Sequence, residues 1–277
     1  MKKLGLLVVV LALFHQFAFA GFPIGKGRFK LIPNYTLYHA EGYWDNNGTY
    51  KAYINNGRFT SNYVAIYLGA GISKDLDFIA TVPFVVQTQT SEVSNGKINS
   101  VGNIGDISLG LSYYISHFNN DNSHLSLSGS LIIPGYQNVD TPYIGFGTFG
   151  MEVKVGVAGT TDKYYRNPYY DIEAGFRQYF DVYGPSQVFL NISGGIPVSE
   201  QVKLNGSFNT VNSVSTLATF SASNLTANKN FNYIRAAAGV AFVASKNAEI
   251  GFNLFKDLAG KNIGKGSGIS LFGVIKF

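Results

Sequence analysis

The sequence predicts an all-β protein, a single antiparallel transmembrane β-barrel of about twelve strands preceded by a signal peptide. Three observations lead to this fold class. Hydrophobic residues alternate with small or polar ones along nearly the whole chain, which is the period of a strand with two unlike faces. Only 13% of the 277 residues are charged, whereas a soluble domain of this size carries about 25%. Glycine (32), Phe (22) and Tyr (18) are abundant.

The first twenty residues have the pattern of a signal peptide. Lys2 and Lys3 precede an apolar run at residues 4–14, and Ala18 and Ala20 supply the small residues before a cleavage point. We therefore expect a signal peptide at 1–20 and a barrel at 21–277. The alternative is a membrane anchor, for which the run is short. Removing the two lysines lowers the formal net charge of +5 by two, and no basic cluster suited to nucleic acid remains.

Alternation defines the strands. In the clearest repeat, Ile107, Leu109 and Leu111 alternate with Ser108 and Gly110. The same rule predicts twelve strands, at 29–37, 64–72, 77–87, 106–116, 125–133, 149–157, 171–180, 188–196, 202–209, 234–242, 250–254 and 269–277.

The links between these segments indicate how the sheet is arranged. Short and long links largely alternate, with long ones at 41–62, 92–103, 135–147 and 211–232. An even strand number with tight turns at one end and longer loops at the other is typical of outer-membrane barrels, and it puts both termini in the periplasm. Closure follows physically, because an open sheet in lipid leaves edge N–H and C=O groups unpaired.

The polar face of each strand determines which side faces lipid. It consists mainly of Ser, Gly, Asn, Thr and Tyr rather than the Lys and Glu of a solvated exterior. We therefore expect the apolar face to contact outer-membrane lipid in a Gram-negative cell, and the polar face to line the lumen. The alternative is a soluble β-protein with the apolar face in its core. The chain ends in a strand finishing with Phe277, which resembles the sorting signal that barrels present to the barrel-assembly machinery.

The charged residues of two neighbouring strands are the candidate lumen-lining site. Glu152 and Lys154 lie on the inward face of one strand; Asp171, Glu173 and Arg177 lie on that of the next, with Lys154 expected opposite Glu173. Two interpretations stay open. These five charged side chains, which we call the charge ladder, either stiffen and plug a narrow barrel or form a constriction that selects solutes. Arg235 is a further inward-facing candidate.

No residues point to enzymatic chemistry. The chain has no Cys, and beyond the signal segment its histidines are His39, His117 and His124. None falls in a spacing typical of a nucleophile and its base. We expect no catalytic, cofactor or metal site.

A family resemblance rests on residues 102–111, GNIGDISLGL. This segment is similar to G-x-x-G-D-[IL]-x-[LV]-G-[LV] in the outer-membrane family named for the MetA pathway of phenol degradation. Pro134-Gly135 resembles that family's strand-ending Pro-(Thr/Ser)-Gly with the middle residue missing. The resemblance implies a porin-like barrel related to hydrophobic-compound channels, which takes up small apolar or aromatic solutes. The alternative is a non-conducting barrel with a structural or surface-interaction role.

Two prolines interrupt predicted strands. Pro83 and Pro134 lack the N–H that a strand ladder needs, so each is a candidate kink. Related apolar-compound channels use such wall interruptions to release ligand sideways, while a simple bulge is the other interpretation.

Overall fold

A computed structural model describes residues 21–90, 98–161, 168–217, 220–222 and 224–277. The predicted signal peptide at 1–20 lies outside these residues. Fourteen strands are described: β1 (Phe29–Trp44), β2 (Tyr50–Ala52), β3 (Arg58–Gly71), β4 (Leu76–Thr90), β5 (Ile98–Ile104), β6 (Asp106–Phe118), β7 (Ser123–Pro134), β8 (Gly150–Thr160), β9 (Tyr169–Tyr179), β10 (Ser186–Pro197), β11 (Val202–Val214), β12 (Phe231–Ser245), β13 (Ala248–Lys261) and β14 (Ile263–Lys276). Two 3₁₀ turns cover Ile54–Asn56 and Leu225–Ala227.

Twelve of the strands form one closed antiparallel barrel. Each pairs with its neighbour in chain order, and β1 pairs with β14 along most of its length, from Lys30 with Lys276 to Trp44 with Ile263. Closure pairs the edges that would otherwise be exposed to lipid. The predicted fold class and the count of twelve barrel strands are confirmed.

The strands are longer than the alternation predicted. The segment 255–268, which had no predicted strand, forms the distal halves of β13 and β14 around a tight turn at Asn262. The link predicted at 92–103 contains most of β5. The link predicted at 41–62 contains the end of β1, all of β2 and the start of β3. These segments are rich in Gly, Asn and Lys, so hydrophobic periodicity alone does not detect them.

The two ends of the barrel differ. The terminal end carries Gly21, Phe277 and the turns at 72–75, 119–122, 198–201 and 246–247. The loop end carries the connections at 45–57, 135–149, 180–185 and 215–230. Among the described residues, no helix has the length and apolar character needed to cross a membrane.

The two faces of the wall are inverted relative to a soluble protein. Val64, Ile66 and Leu68 on β3 are each about 45% exposed, on the outer surface. The buried side chains include an unusual number of polar ones, such as Ser126, Ser128 and Ser130 along β7, and others on most strands: Asp77, Gln87, Asp171, Ser193, Asn205, Ser207, Asn253 and Ser270. This arrangement, with apolar side chains outside and polar side chains inside, confirms the predicted transmembrane barrel. An exposed aliphatic belt is suited to contact with hydrocarbon rather than water.

Residues 21–27, which we call the strap, lie inside the terminal end. The Gly21 N–H donates to Asp171 Oδ2 on β9 (3.3 Å), and the Ile24 N–H donates to Asp77 Oδ2 on β4 (3.0 Å). Three strands separate β4 from β9 around the barrel, so the strap crosses the lumen. Gly71 makes this path possible, because a Cβ there would overlap the backbone of Gly25.

Candidate functional site: a lumenal cavity beside a gap in the wall

A cavity of about 870 Å³ occupies the lumen between the strap and the loop end. One side of it is apolar, lined by side chains of β1, β3, β4 and β7: Ile32, Ala65, Ile79, Val85 and Ile132. Aromatic rings of Tyr38, Phe59, Tyr63 and Tyr67 add to this side. The cavity is therefore large enough, and on this wall apolar enough, for a small aromatic molecule.

The opposite side is charged and contains most of the predicted lumen-lining residues. Glu152, Lys154, Glu173 and Arg177 all line the cavity. Arg177 Nε donates to Glu152 Oε2 (2.9 Å), and Lys154 Nζ donates to Glu173 Oε1 (3.3 Å). The predicted register is wrong by two residues. Lys154 pairs directly with Gly175, and its long side chain reaches Glu173 diagonally.

Arg235 on β12 also lines the cavity, and two strands, β10 and β11, separate β12 from β9 in the sheet. Its Nε donates to Asp257 Oδ1 on β13 (2.6 Å), and Asp257 is almost fully buried. The guanidinium also lies over the rings of Phe255, Tyr38 and Tyr233, at 4.6, 5.3 and 5.4 Å from their centroids. Its positive charge is thus held by one carboxylate and three aromatic faces.

Asp171 is the one predicted lumen candidate that lies away from the cavity lining. Its side chain is buried below the cavity, beside the strap, where it accepts the Gly21 N–H. The charge ladder of the sequence is therefore divided between a cavity wall and the terminal end.

Two loops cover the cavity at the loop end. Ile144 and Phe146 of the 135–149 connection and Leu225 of the 215–230 connection contribute to its lining. The two loops are joined by hydrogen bonds, since the Tyr143 N–H donates to Asn224 Oδ1 (3.0 Å) and the Thr226 hydroxyl donates to the Tyr143 carbonyl.

The wall is interrupted on one side of the cavity. β5 pairs with β4 along Ile98–Ile104, but no described strand pairs with its other edge. β7 pairs with β6 only as far as Pro134, and the last bond across this boundary runs from the Gly135 N–H to the Gly105 carbonyl (3.1 Å). Beyond that bond a cleft of about 750 Å³ lies between residues 100–103 and residues 134–140.

Both candidate kink prolines lie at this interruption. Pro83 pairs with Ala65 of β3 on one side, and on the other its carbonyl accepts the Gly105 N–H (2.8 Å). A proline has no N–H to donate toward that same edge. The pairing of β4 shifts by one residue there, from β5 to β6. Pro134 is the last residue of β7.

Tyr136 lies between the cavity and the cleft. Its ring is buried in the cleft lining, and its hydroxyl donates to Asp106 Oδ1 (2.9 Å), a residue that lines the cavity. The same hydroxyl accepts the Gly147 N–H (3.1 Å). Burial, with Asp106 adding to it, raises the pKa of Tyr136, so the hydroxyl stays protonated and donates. Sequence reasoning missed this residue; its position two residues after Pro134 was the available signal.

No protein-family model and no curated protein sequence matches the chain. Its structure is similar to the COG4313 outer membrane channel from Pseudomonas putida F1, with a TM-score of 0.75 and 14% identity, covering 95% of this chain and 100% of that one. It is also similar to the β domain of the Bordetella autotransporter BrkA (TM-score 0.54, 10% identity, 91% and 100% covered). The transport unit of autotransporter AIDA-I from Escherichia coli gives 0.50, 10%, 95% and 92%. These likenesses show the fold, that of an outer-membrane β-barrel.

Proposed function

We propose that the chain is an outer-membrane channel for small apolar or aromatic solutes, which leave the lumen sideways between β5 and β7. The observation that carries the proposal is the interrupted wall beside a half-apolar cavity. Gly105 and Asp106 line the cavity, while residues 100–103 of the same segment line the outer cleft. One short segment of the chain thus connects the cavity lining with the cleft lining. The free energy of an apolar molecule is lower in hydrocarbon than in water. Such a molecule therefore leaves the cavity more readily into the lipid than into the aqueous phase.

The proposal extends to the family and to assembly. Gly105 and Asp106, which belong to the motif similar to the MetA-pathway family, lie at the register shift opposite Pro83. That location supports a role for the motif in the wall interruption and is our reason for proposing a relation to this family. Phe277, paired with Phe29 through both backbone hydrogen bonds, is proposed as the residue that the barrel-assembly machinery recognises. No catalytic step belongs to this proposal.

A second candidate function is a non-conducting barrel. It is favoured by the strap, which occupies the terminal end, and by the joined loops over the other end. A barrel blocked along its axis can still pass an apolar solute through its side, but it carries few ions. A blocked axis is therefore compatible with both candidates, whereas passage of an apolar solute through the side of the barrel is expected only of the channel.

The test compares two matched glycines on the outer wall. Gly102 lies in the cleft, whereas Gly129 lies on β7 between fully paired strands with nothing within 4 Å of a Cβ placed there. Gram-negative cells expressing the barrel are given radiolabelled naphthalene, and the initial uptake rate is compared with that of cells lacking it. We expect several-fold faster uptake, abolished by Gly102→Trp and retained in Gly129→Trp. Uptake no faster than in cells without the barrel would support the non-conducting candidate.

A further inference from the structure

The terminal end contains a buried carboxylate with an incomplete set of partners. Asp171 has no measurable exposure, and its Oδ1 has no hydrogen-bond partner among the described residues. Its Oδ2 receives a single backbone N–H, that of Gly21, at 3.3 Å. An ionised carboxylate accepts several hydrogen bonds, and burying one with a single neutral donor is costly. Within the described part of the chain, Oδ1 of Asp171 can therefore accept a further donor.

Three charged side chains lie near Asp171 at this end of the barrel. Lys30 at the start of β1 is buried and interacts electrostatically with both Asp171 and Asp77. Glu173, two residues along the same inward face, adds negative charge, and the Nζ of Lys154 is directed to Glu173 at 3.3 Å. Asp77, on the other side of the lumen, is likewise buried and accepts from Ile24 and from the Tyr114 hydroxyl. The strap thus runs between two buried carboxylates.

The nitrogen next to Asp171 belongs to the residue at which the predicted cleavage begins the mature chain. In the precursor this nitrogen is an amide with one N–H. Hydrolysis of the Ala20–Gly21 bond by a signal peptidase adds water across the bond, leaving a carboxylate on Ala20. The Gly21 amine then takes up a proton at neutral pH, which gives three N–H donors and a positive charge on the same atom.

We propose that signal-peptide removal gives Asp171 a charged hydrogen-bond partner: the α-ammonium of Gly21 pairs with Asp171 and holds the strap inside the barrel. The fit is specific for glycine, because a Cβ at residue 21 would overlap Ala158 Cβ and lie 2.9 Å from Asp171 Oδ2. A charge-assisted contact of this kind is stronger than the neutral bond it replaces. The inference is independent of the solute that the barrel carries.

The test measures the reactivity of the amino terminus in the purified, folded protein. Mass spectrometry first establishes that the chain begins at Gly21. The folded protein is then acetylated with an N-hydroxysuccinimide ester, with the exposed Lys74 as internal reference for the reagent. We expect the Gly21 amine to react at least about tenfold more slowly in the folded barrel than after unfolding in hot detergent. Equal rates, or a different first residue, would overturn the proposal without any variant being needed.

Two variants distinguish an ion pair from simple burial. Insertion of one Gly after Ala20 moves the ammonium by about 3.8 Å, and Asp171→Asn removes the charge while keeping a similar shape. Each should lower the midpoint of thermal unfolding and speed acetylation, and the two together should do little more than either alone. Additive effects of the two changes on the midpoint would mean that the ammonium and the carboxylate act separately, contrary to the proposal.

Discussion

Substitution of Tyr136 by Phe tests whether the contact between cavity and cleft restrains a lateral exit. The change removes one hydroxyl that donates to Asp106 and accepts from Gly147. A hydrogen bond to a charged group contributes about 1.5–3 kcal/mol and a neutral one about 1. Part of this is recovered by water at the cleft, so we expect a net loss of about 2 kcal/mol from the closed arrangement.

That energy sets the size of the expected effect. About 2 kcal/mol shifts a two-state ratio by about 30-fold at room temperature. If the closed arrangement dominates, Tyr136→Phe raises the open fraction by nearly this factor. The initial rate of naphthalene uptake then rises by up to the same factor, until entry into the lumen becomes rate-limiting.

Tyr143→Phe is the matched control for this substitution. Tyr143 belongs to the same loop, and its bonds to Asn224 and Thr226 use its backbone, so removing its hydroxyl leaves them in place. Folding of both variants is checked by heat-modifiable migration in gels. Unchanged uptake in a folded Tyr136→Phe barrel, or an equal increase in both variants, would refute the gating role of this contact.

Three further predictions concern stability, the strap and pH. Asp257→Asn leaves the buried Arg235 without its counter-charge, and we expect it to cost about 2 kcal/mol in urea unfolding in lipid, less than a full buried-pair loss because three rings still face the cation; an unchanged midpoint would contradict this. Gly71→Ala forces a Cβ into the backbone of Gly25, so we expect a displaced strap and larger ion conductance in planar bilayers, and equal conductance would count against it. Two backbone N–H groups of its own turn lower the pKa of Asp45. The ionised Asp45 carboxylate should therefore stabilise the fold fully above about pH 4, and this stabilisation should be lost as the pH falls through the lowered pKa of Asp45. Backbone NMR shifts that show a normal or raised pKa for Asp45 would disprove this.

The faces of the barrel strands were predictable because lipid imposes one rule on all of them. Residues such as Leu109 and Leu111 must face hydrocarbon, and the residues between them must then face inward. Alternation therefore identified every barrel strand and the inward direction of Glu152, Glu173 and Arg177. The register between neighbouring strands was less accessible, because a shift of two residues preserves every face and changes only the partners. The structure accordingly pairs Lys154 with Gly175.

The strap and the wall gap could not be predicted from periodicity. The strap has no regular pattern, and it is held by single backbone donors to two carboxylates that are distant in sequence. The gap arises because no strand of the described ranges pairs with the outer edge of β5, and a strand that has no partner leaves no repeating pattern in the sequence. Pro83 gave a local indication of a broken ladder, but the link between Tyr136 and Asp106 depends on how a loop folds back.

The strap leads directly into β1, and β1 forms one side of the β1–β14 seam. A segment that must lie within a barrel is most easily placed while the barrel is still open. Threading of residues 21–27 and zipping of the seam are therefore expected to be one event in biogenesis. On that view the last two strands to meet enclose a strap that has already been positioned.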